Sequence, residues 1–425
     1  MPVTRTNLRK RECDVVVCGG GAAGVAAAIG AAQAGADVLL IEKSSYLGGI
    51  ATDSGVTSIC GMYDRSAPPV QLVRGALQSV VRVLEELGHP PRLQINHRGY
   101  PLVFYDVEQL KRALEIACAR SGAKILLTTT LVEAVTDGDM IRDILCFDGE
   151  GLFAVRAKAF VDATGDGCLA HLCGAETSFG EAGSVQNSTL VMWLAGVDTN
   201  RRYNPEDVHE ALLKAQAAGH GPFTKMQCRV FVTPGGSFVM LSLANHKLRG
   251  LDAESMTEAE IFCRQQNAAY VQALRAFLPG MENAVLVRSG PRIGIRQSRR
   301  IVGERTLTFE EAIGGCKPPD GIARGGWAFE VHGDLKSMSA NDHVAGGGYY
   351  TIPIGCIKAK EVRNLWSSGR NISVDWKTHG STRAIATCFA TGQAAGVAAA
   401  LTTGKDTYDV KAIQMELERQ GALPT

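Results

Sequence analysis

Glycines 19, 21 and 24 lie between two apolar runs, Val15–Val17 and Val38–Ile41, and the second run ends at Glu42. Residues of these types at this spacing suit a dinucleotide. Gly19 permits a tight turn off a strand, Gly21 lets main chain approach a pyrophosphate, and Gly24 lets the next helix pack closely on the sheet. The helix begins there, so its unpaired N–H groups, at Ala22 and Ala23, and its positive dipole end face the phosphates. Glu42 stands about 20 residues on, where a carboxylate meets ribose hydroxyls, which favours FAD or NAD over NADP.

The elements that would position this motif are readable on both sides of it. Helical spacing covers Val70–Leu87 and Asp106–Ser121, the latter with Asp106 as N-cap and Gly122 after its end. The period then shortens. Ile125–Thr130 reads as a strand, followed by a three-stranded antiparallel meander (132–135, 141–147, 152–156) and a return strand, 159–163, that runs into Val161-Asp162-Ala163-Thr164-Gly165-Asp166-Gly167. Between 176 and 290, Pro205–Ala218 and Thr257–Phe277 read as helices, and Arg229–Val232 and Phe238–Leu243 as strands. Later, a turn at 346–350 enters a strand, Leu365–Gly369 forms a short strand, and Arg383–Leu401 forms one long small-residue helix. Its Gly392 and Gly396 are spaced for close packing on the sheet.

Composition narrows the function classes. The chain has 425 residues, a net charge of +1, 45% hydrophobic and 20% charged residues, which fits two domains or one with a large insertion. That balance gives no reason to expect nucleic acid or an acidic membrane as partner. Arg5, Arg9, Lys10 and Arg11 before an apolar run resemble a secretory leader, but the run to Cys18 is too short and glycines interrupt it. No stretch reaches the roughly 18 apolar residues of a membrane span, so a cytoplasmic location is expected. Twelve cysteines without a C-x-x-C pair read as free thiols. Cys168, His171 and Cys173 form a compact cluster with no fourth ligand nearby, and no metal is expected.

Five segments resemble, in order, those of the FAD-dependent oxidoreductases within the two-dinucleotide-binding-domain flavoproteins, which share the FAD domain of glutathione reductase and the fumarate reductase flavoprotein. They are Val15–Thr52, Val161–Ala170, Arg292–Thr308, Tyr349–Ser373 and Gly380–Leu401. The resemblance implies an α/β fold: a Rossmann-like FAD-binding domain with a three-stranded β-meander (1–175 and 355–425), plus an inserted α+β substrate or cap domain (176–354). Gly19, Gly21, Ala22, Ala23 and Gly24 would hold the FAD pyrophosphate, and Glu42, with Lys43 beside it, the ribose. Gly48, Gly49 and Thr52 match the second glycine pair, and Val132 would meet adenine through its backbone. Ala163, Thr164, Gly165 and Asp166 would close over the cofactor, and Gly369 and Arg370 would lie at the ribityl chain. A helix starting near Ala386 would aim its N-terminus at the pyrimidine edge of the flavin. No histidine stands at 50–52, so non-covalent FAD is expected. No second strand–GxGxxG–helix unit occurs in 176–350, which argues against a built-in nicotinamide domain.

Such a protein transfers a hydride between a small organic substrate and flavin N5, and one proton must be managed beside it. The resemblance makes His379 the leading acid/base candidate and His332, beside Glu330, the second. Arginines 288, 292, 296, 299, 300 and 305 crowd one segment. Most suit a salt-bridged strand face. Arg296 is the expected exception, holding a substrate carboxylate or the flavin edge, with Arg383 next. Lys377 is a candidate for promoting reaction with oxygen at N5. Oxygen, quinone, another flavoprotein and a ferredoxin all fit as electron acceptor, and any oligomeric state fits the chain. Two rivals stand beside this reading: an NAD-dependent dehydrogenase, and a flavin-binding electron-transfer subunit without a substrate of its own.

Overall fold

The computed structural model describes residues 8–96, 99–181, 185–233, 235–333, 342–405 and 407–425. The chain opens with β1 (Arg9–Cys18), α1 (Ala22–Gln33), β2 (Val38–Ile41), the short α2 (Ile50–Asp53), β3 (Ser58–Cys60) and α3 (Ala76–Glu86). Next come β4 (Arg92–Ile95), β5 (Pro101–Phe104), α4 (Val107–Ser121), β6 (Lys124–Leu126), β7 (Thr130–Asp137), β8 (Met140–Asp148), β9 (Gly151–Asp162) and α5 (Cys168–Leu172). Then follow β10 (Thr177–Phe179), β11 (Ser188–Ala195), α6 (Pro205–Ala217), β12 (Phe231–Val232), β13 (Val239–His246), α7 (Ala253–Phe277), β14 (Val285–Ser289) and β15 (Arg299–Ile301). The last part holds α8 (Phe309–Ile313), β16 (Gly321–Gly325), β17 (Tyr350–Pro353), β18 (Leu365–Ser367), α9 (Trp376–Thr382), α10 (Ile385–Leu401) and α11 (Val410–Arg419).

A seven-stranded sheet in the order β6-β2-β1-β9-β8-β7, with β18 also on β9, carries the front motif. β6, β2, β1, β9 and β18 pair in parallel, while β7 and β8 return antiparallel. The last meander strand and the return strand expected from the sequence are one element. β9 pairs β8 through Gly151–Arg156 and β18 through Phe160–Asp162, with β1 along its other edge. The expected helix over 70–87 starts only at Ala76, after Gly75 at φ +60°. Leu72 is buried as its apolar spacing suggests, but its N–H is taken by the Met62 carbonyl, outside any helix.

The expected single helix 383–401 is also two elements. α9 and α10 meet at a 93° bend, with Ala384 extended between them. No single helix among the described residues is long and apolar enough to cross a membrane; this bent pair passes on length and composition alone. α10 packs on α1 as well as on the sheet. A Cβ at Gly392 or Gly396 would stand 2.1 or 2.0 Å from the carbonyl oxygens of Ala23 or Ala27, so only glycine allows the helices this close.

A second core lies between 185 and 295, where β12-β13-β11-β14 form a four-stranded sheet under α6 and α7. The antiparallel β16–β17 pair, numbered within the span read as cap, buries Ile322, Ala323, Tyr350 and Ile352 in the core of the nucleotide unit beside α10. A small sheet, β3-β5-β4, sends Ile59 and Val103 into the core of the nucleotide unit and sets Phe104 6.2 Å from Phe231 of β12.

Candidate functional site

Two glycine loops meet above the end of β1. Gly21 bridges Gly48 in parallel register, and Gly48 N–H donates to the Gly20 carbonyl at 2.8 Å. Gly24 could not be anything larger, because a Cβ there would stand 1.7 Å from the Gly19 oxygen. α1 has Gly21 as N-cap without a side-chain cap, so its first amides keep their donors for a ligand. The buried Glu42 carboxylate accepts from Gly20 N–H at 2.6 Å and Ser44 N–H at 2.8 Å, which stations it at the loop. Lys43 beside it is exposed and adds a favourable charge to Asp166. The Thr52 hydroxyl donates to the Leu47 carbonyl at 2.7 Å, and its methyl backs the Gly48 turn. Val132 is 43% exposed at the register shift between Leu131 and Glu133, where the β7–β8 ladder is interrupted.

The other two loops come from the ends of β9 and β18. Asp162, fully buried, accepts from Thr164 N–H and hydroxyl, Ala170 N–H and Asn371 Nδ2, at 2.7 to 3.0 Å, and so shapes the turn that presents Ala163–Asp166. Burial raises the pKa of Asp162. Burial acts on Asp166 in the same direction, but Arg370, Ser298 and Lys43 overcome it and hold Asp166 below the ordinary carboxylate value. Ser298 donates to Asp166 at 2.7 Å and Arg370 at 3.0 Å. Gly369, at φ +66°, brings this turn against Ala23 at the start of α1. Asp162, Ser298 and Asn371 were not singled out from the sequence; only Asp162 gave a signal, as the last residue of a buried strand.

The cradle fits a long dinucleotide. Polar atoms of Ser368, Arg370 (Nη1), Thr382, Arg383 (Nε) and Thr387 are buried without partners, and they string together the β18 turn, the α9–α10 elbow and the first turn of α10. α10, like α1, has no side-chain cap, and Ala386 lies in its first turn. The architecture and this cradle define the class: a dinucleotide-binding flavoprotein.

The chain belongs to the FAD dependent oxidoreductase family, whose sequence profile matches residues 14–419. FAD is its cofactor, and the NAD-dependent alternative for the front motif is set aside. Thiamine thiazole synthase of Aeropyrum pernix is 31% identical over 205 residues, 44% of this chain and 67% of that protein. Two solved structures share the fold at 14% identity and a TM-score of 0.50. A geranylgeranyl bacteriochlorophyll reductase-like protein from Thermoplasma acidophilum matches over 96% of this chain and 83% of its own, and a flavin-dependent brominase over 97% and 84%.

Beside the elbow, the structure gathers groups far apart in sequence. Gly380 lets α9 press on residue 330, since a Cβ there would stand 2.5 Å from the Glu330 carbonyl oxygen. Arg383 Nη2 donates to that same carbonyl at 3.3 Å. Glu330 Oε2 lies 3.7 Å from His332 Nε2, and both side chains keep a minor exposed fraction, 30% and 20%. Arg296 Nη1 donates to the Asn187 carbonyl and the Thr189 hydroxyl, each at 2.6 Å, and Asn187 N–H donates to the His332 carbonyl. Burial, then the charge of Arg296, pushes the His332 pKa down to about 3. Burial raises that of Glu330, but His332 and Arg383 bring it to about 2. The pair is therefore a neutral imidazole beside a carboxylate at neutral pH. Burial and the nearby Arg383 lower the Arg296 pKa, yet the guanidinium stays charged.

The remaining candidates sit elsewhere. His379 is completely buried on α9; the Arg370 backbone favours its charged form, but neither ring nitrogen makes a hydrogen bond of good geometry. Burial first, then the charges of Arg300, Arg383 and Arg370, holds it neutral. Lys377 is exposed, 4.7 Å above the Phe309 ring, and does not join the cluster. Arg288 lies 3.8 Å from Glu108, and Arg305 is 2.8 Å from Glu311, while Arg292 pairs with Asp53. Cys168, His171 and Cys173 lie on or just after α5, where Cys173 donates to the Ala170 carbonyl; among the described residues no three metal-ligating side chains converge.

Proposed function

We propose that this chain is an FAD-dependent oxidoreductase that oxidises a small organic acid bound between the cap and the α9–α10 elbow. The observation that carries this reading is the Glu330–His332 pair, flanked by Arg296 and Arg383, at the end of the cradle where α10 presents its free N-terminus. When bound, FAD would supply the two-electron chemistry that a hydride-donating substrate needs. Arg296 and Arg383 orient a substrate carboxylate, as guanidinium forks do. With Nε2–H turned to Glu330, His332 takes the proton of the adjacent O–H or N–H at Nδ1, and Glu330 stabilises the imidazolium that forms. The carboxylate of the substrate offsets the two arginine charges, so binding raises the basicity of His332 when it is needed. The N-terminus of α10 favours negative charge on whatever it faces.

The test is anaerobic bleaching of the purified yellow protein by a panel of hydroxy and amino acids. Loss of flavin absorbance with one of them supports the reading. If no small molecule bleaches it but a reduced or oxidised protein partner changes its redox state, the electron-transfer role replaces it.

A further inference from the structure

A cavity of about 350 Å³ lies between the turn that enters α4 and the four-stranded sheet of the second core. Small-molecule sites occupy about 300–1,000 Å³, so its size is sufficient for a ligand. Its lining includes none of Arg296, Glu330, His332 and Arg383, which separates it from the cluster at the elbow. Three aromatic side chains line it: Tyr105 after β5, Trp193 on β11, and Phe238 just before β13. Two of them are fixed by their polar ends. The Tyr105 hydroxyl lies 2.9 Å from the Ala51 carbonyl and 2.8 Å from that of Val56, and Trp193 Nε1 donates to the Gly55 carbonyl at 3.1 Å. The Trp193 and Phe238 rings stand 6.4 Å apart at 47°, so they diverge rather than stack.

The charges at this cavity are already matched. Glu108 meets Lys111 at 2.9 Å and Arg288 at 3.8 Å, and the Arg288 guanidinium rests 4.2 Å over the Trp193 ring. Asp106 accepts from Gln109 N–H at 3.0 Å, at the positive end of α4. Two cations stand against two carboxylates, so a net charge on a ligand gains little here. One polar group has no match. Thr57 is 1% exposed and lines the cavity, and its Oγ1 has no hydrogen-bond partner among the described residues. A buried polar atom without a partner is costly, and a hydroxyl both donates and accepts, so it suits a phenolic hydroxyl or a ring carbonyl.

We propose that this cavity binds a neutral, planar aromatic molecule of one or two rings bearing a ring oxygen. Trp193, Phe238 and Tyr105 hold its rings, and Thr57 hydrogen-bonds its oxygen. The site is independent of the elbow cluster and of the substrate read there. Val287 of β14, half-exposed, lines the mouth.

The test is calorimetric titration of the FAD-loaded protein with naphthol as the neutral probe, and with naphthoate and naphthylmethylammonium of the same substitution pattern as the charged ones. Naphthol should bind at least about tenfold more tightly than either charged analogue. Thr57→Val keeps the side-chain shape without the hydroxyl and should weaken naphthol about fivefold. Val287→Trp should fill the mouth and abolish binding, whereas a probe bound at the elbow would be unaffected. The proposal is overturned by no binding of naphthol, by tighter binding of a charged analogue, by unchanged affinity in Thr57→Val, or by binding that persists in Val287→Trp. Should Thr57→Val not fold, Val287→Trp, at a half-exposed position, still decides.

Discussion

Arg370 Nη2 lies 3.0 Å from Asp166 Oδ1, a contact between residues 204 apart in sequence. It locks the turn after β18 to the turn after β9, so the two loops that would flank the cofactor chain move as one. Gly165 makes room for it: a Cβ there would stand 2.6 Å from the same guanidinium nitrogen.

Asp166→Asn should therefore weaken FAD binding. The substitution removes the charge from an acceptor shared by Arg370 and Ser298, and hydrogen bonds to charged groups contribute about 1.5–3 kcal/mol. Affinity should fall roughly tenfold or more by fluorescence titration of the flavin-stripped protein. Unchanged affinity would show that the clamp serves folding alone.

Gly392→Ala should cost about 1–3 kcal/mol or more of stability, since the added methyl meets the Ala23 carbonyl on a neighbouring helix that cannot yield without shifting backbone. Gly149→Ala, in a turn with nothing within 4 Å of the new methyl, should stay within about 0.5 kcal/mol of the parent. Denaturant unfolding of both variants checks the contrast.

Stability should fall in mild acid partly through His332. Its folded pKa, about 3, lies below its ordinary 6.5, so the unfolded chain binds more protons between those values and unfolding becomes easier as pH drops from 6.5 toward 3. His332→Gln should flatten this dependence by about 1 kcal/mol between pH 6.5 and 5, after discounting for its partial exposure. His379 acts in the same direction and stays in both proteins, so the difference isolates His332. Parallel curves from unfolding measured at several pH values would mean that His332 is not held neutral.

Lys377→Ala should leave the rate of flavin reoxidation by oxygen unchanged. The ammonium is exposed over Phe309, a contact worth about 0.5–1 kcal/mol at an exposed site. A stopped-flow trace slowed several-fold would place the lysine at the flavin after all.

The front of the molecule was legible because each residue there answers a local demand. Gly19 and Gly48 need positive φ, Gly24 needs the absence of a side chain, and Glu42 needs only its distance from the glycines. The helix at 383–401 was misread as continuous for a related reason: its composition is uniformly small and apolar, and nothing in it marks the 93° turn at Ala384. The segment 185–295 was least legible. β11 lies between β13 and β14, pairings that join residues 45 to 97 apart, and the mostly buried β11 and β13 show no alternation that specifies their partners.

The amino-acid sequence by itself determined a flavin-nucleotide protein, with a glycine turn and an acid at the spacing such a nucleotide motif uses, and an arginine-rich segment. Only the tertiary structure decided which groups meet: that Arg296 holds the Asn187 carbonyl while the Asn187 N–H holds the carbonyl of His332, and that Arg383 lies against residue 330. Turn geometry and helix ends are set by adjacent residues. The electrostatics of a buried cluster are set by loop closure and packing between segments that no spacing in the chain relates.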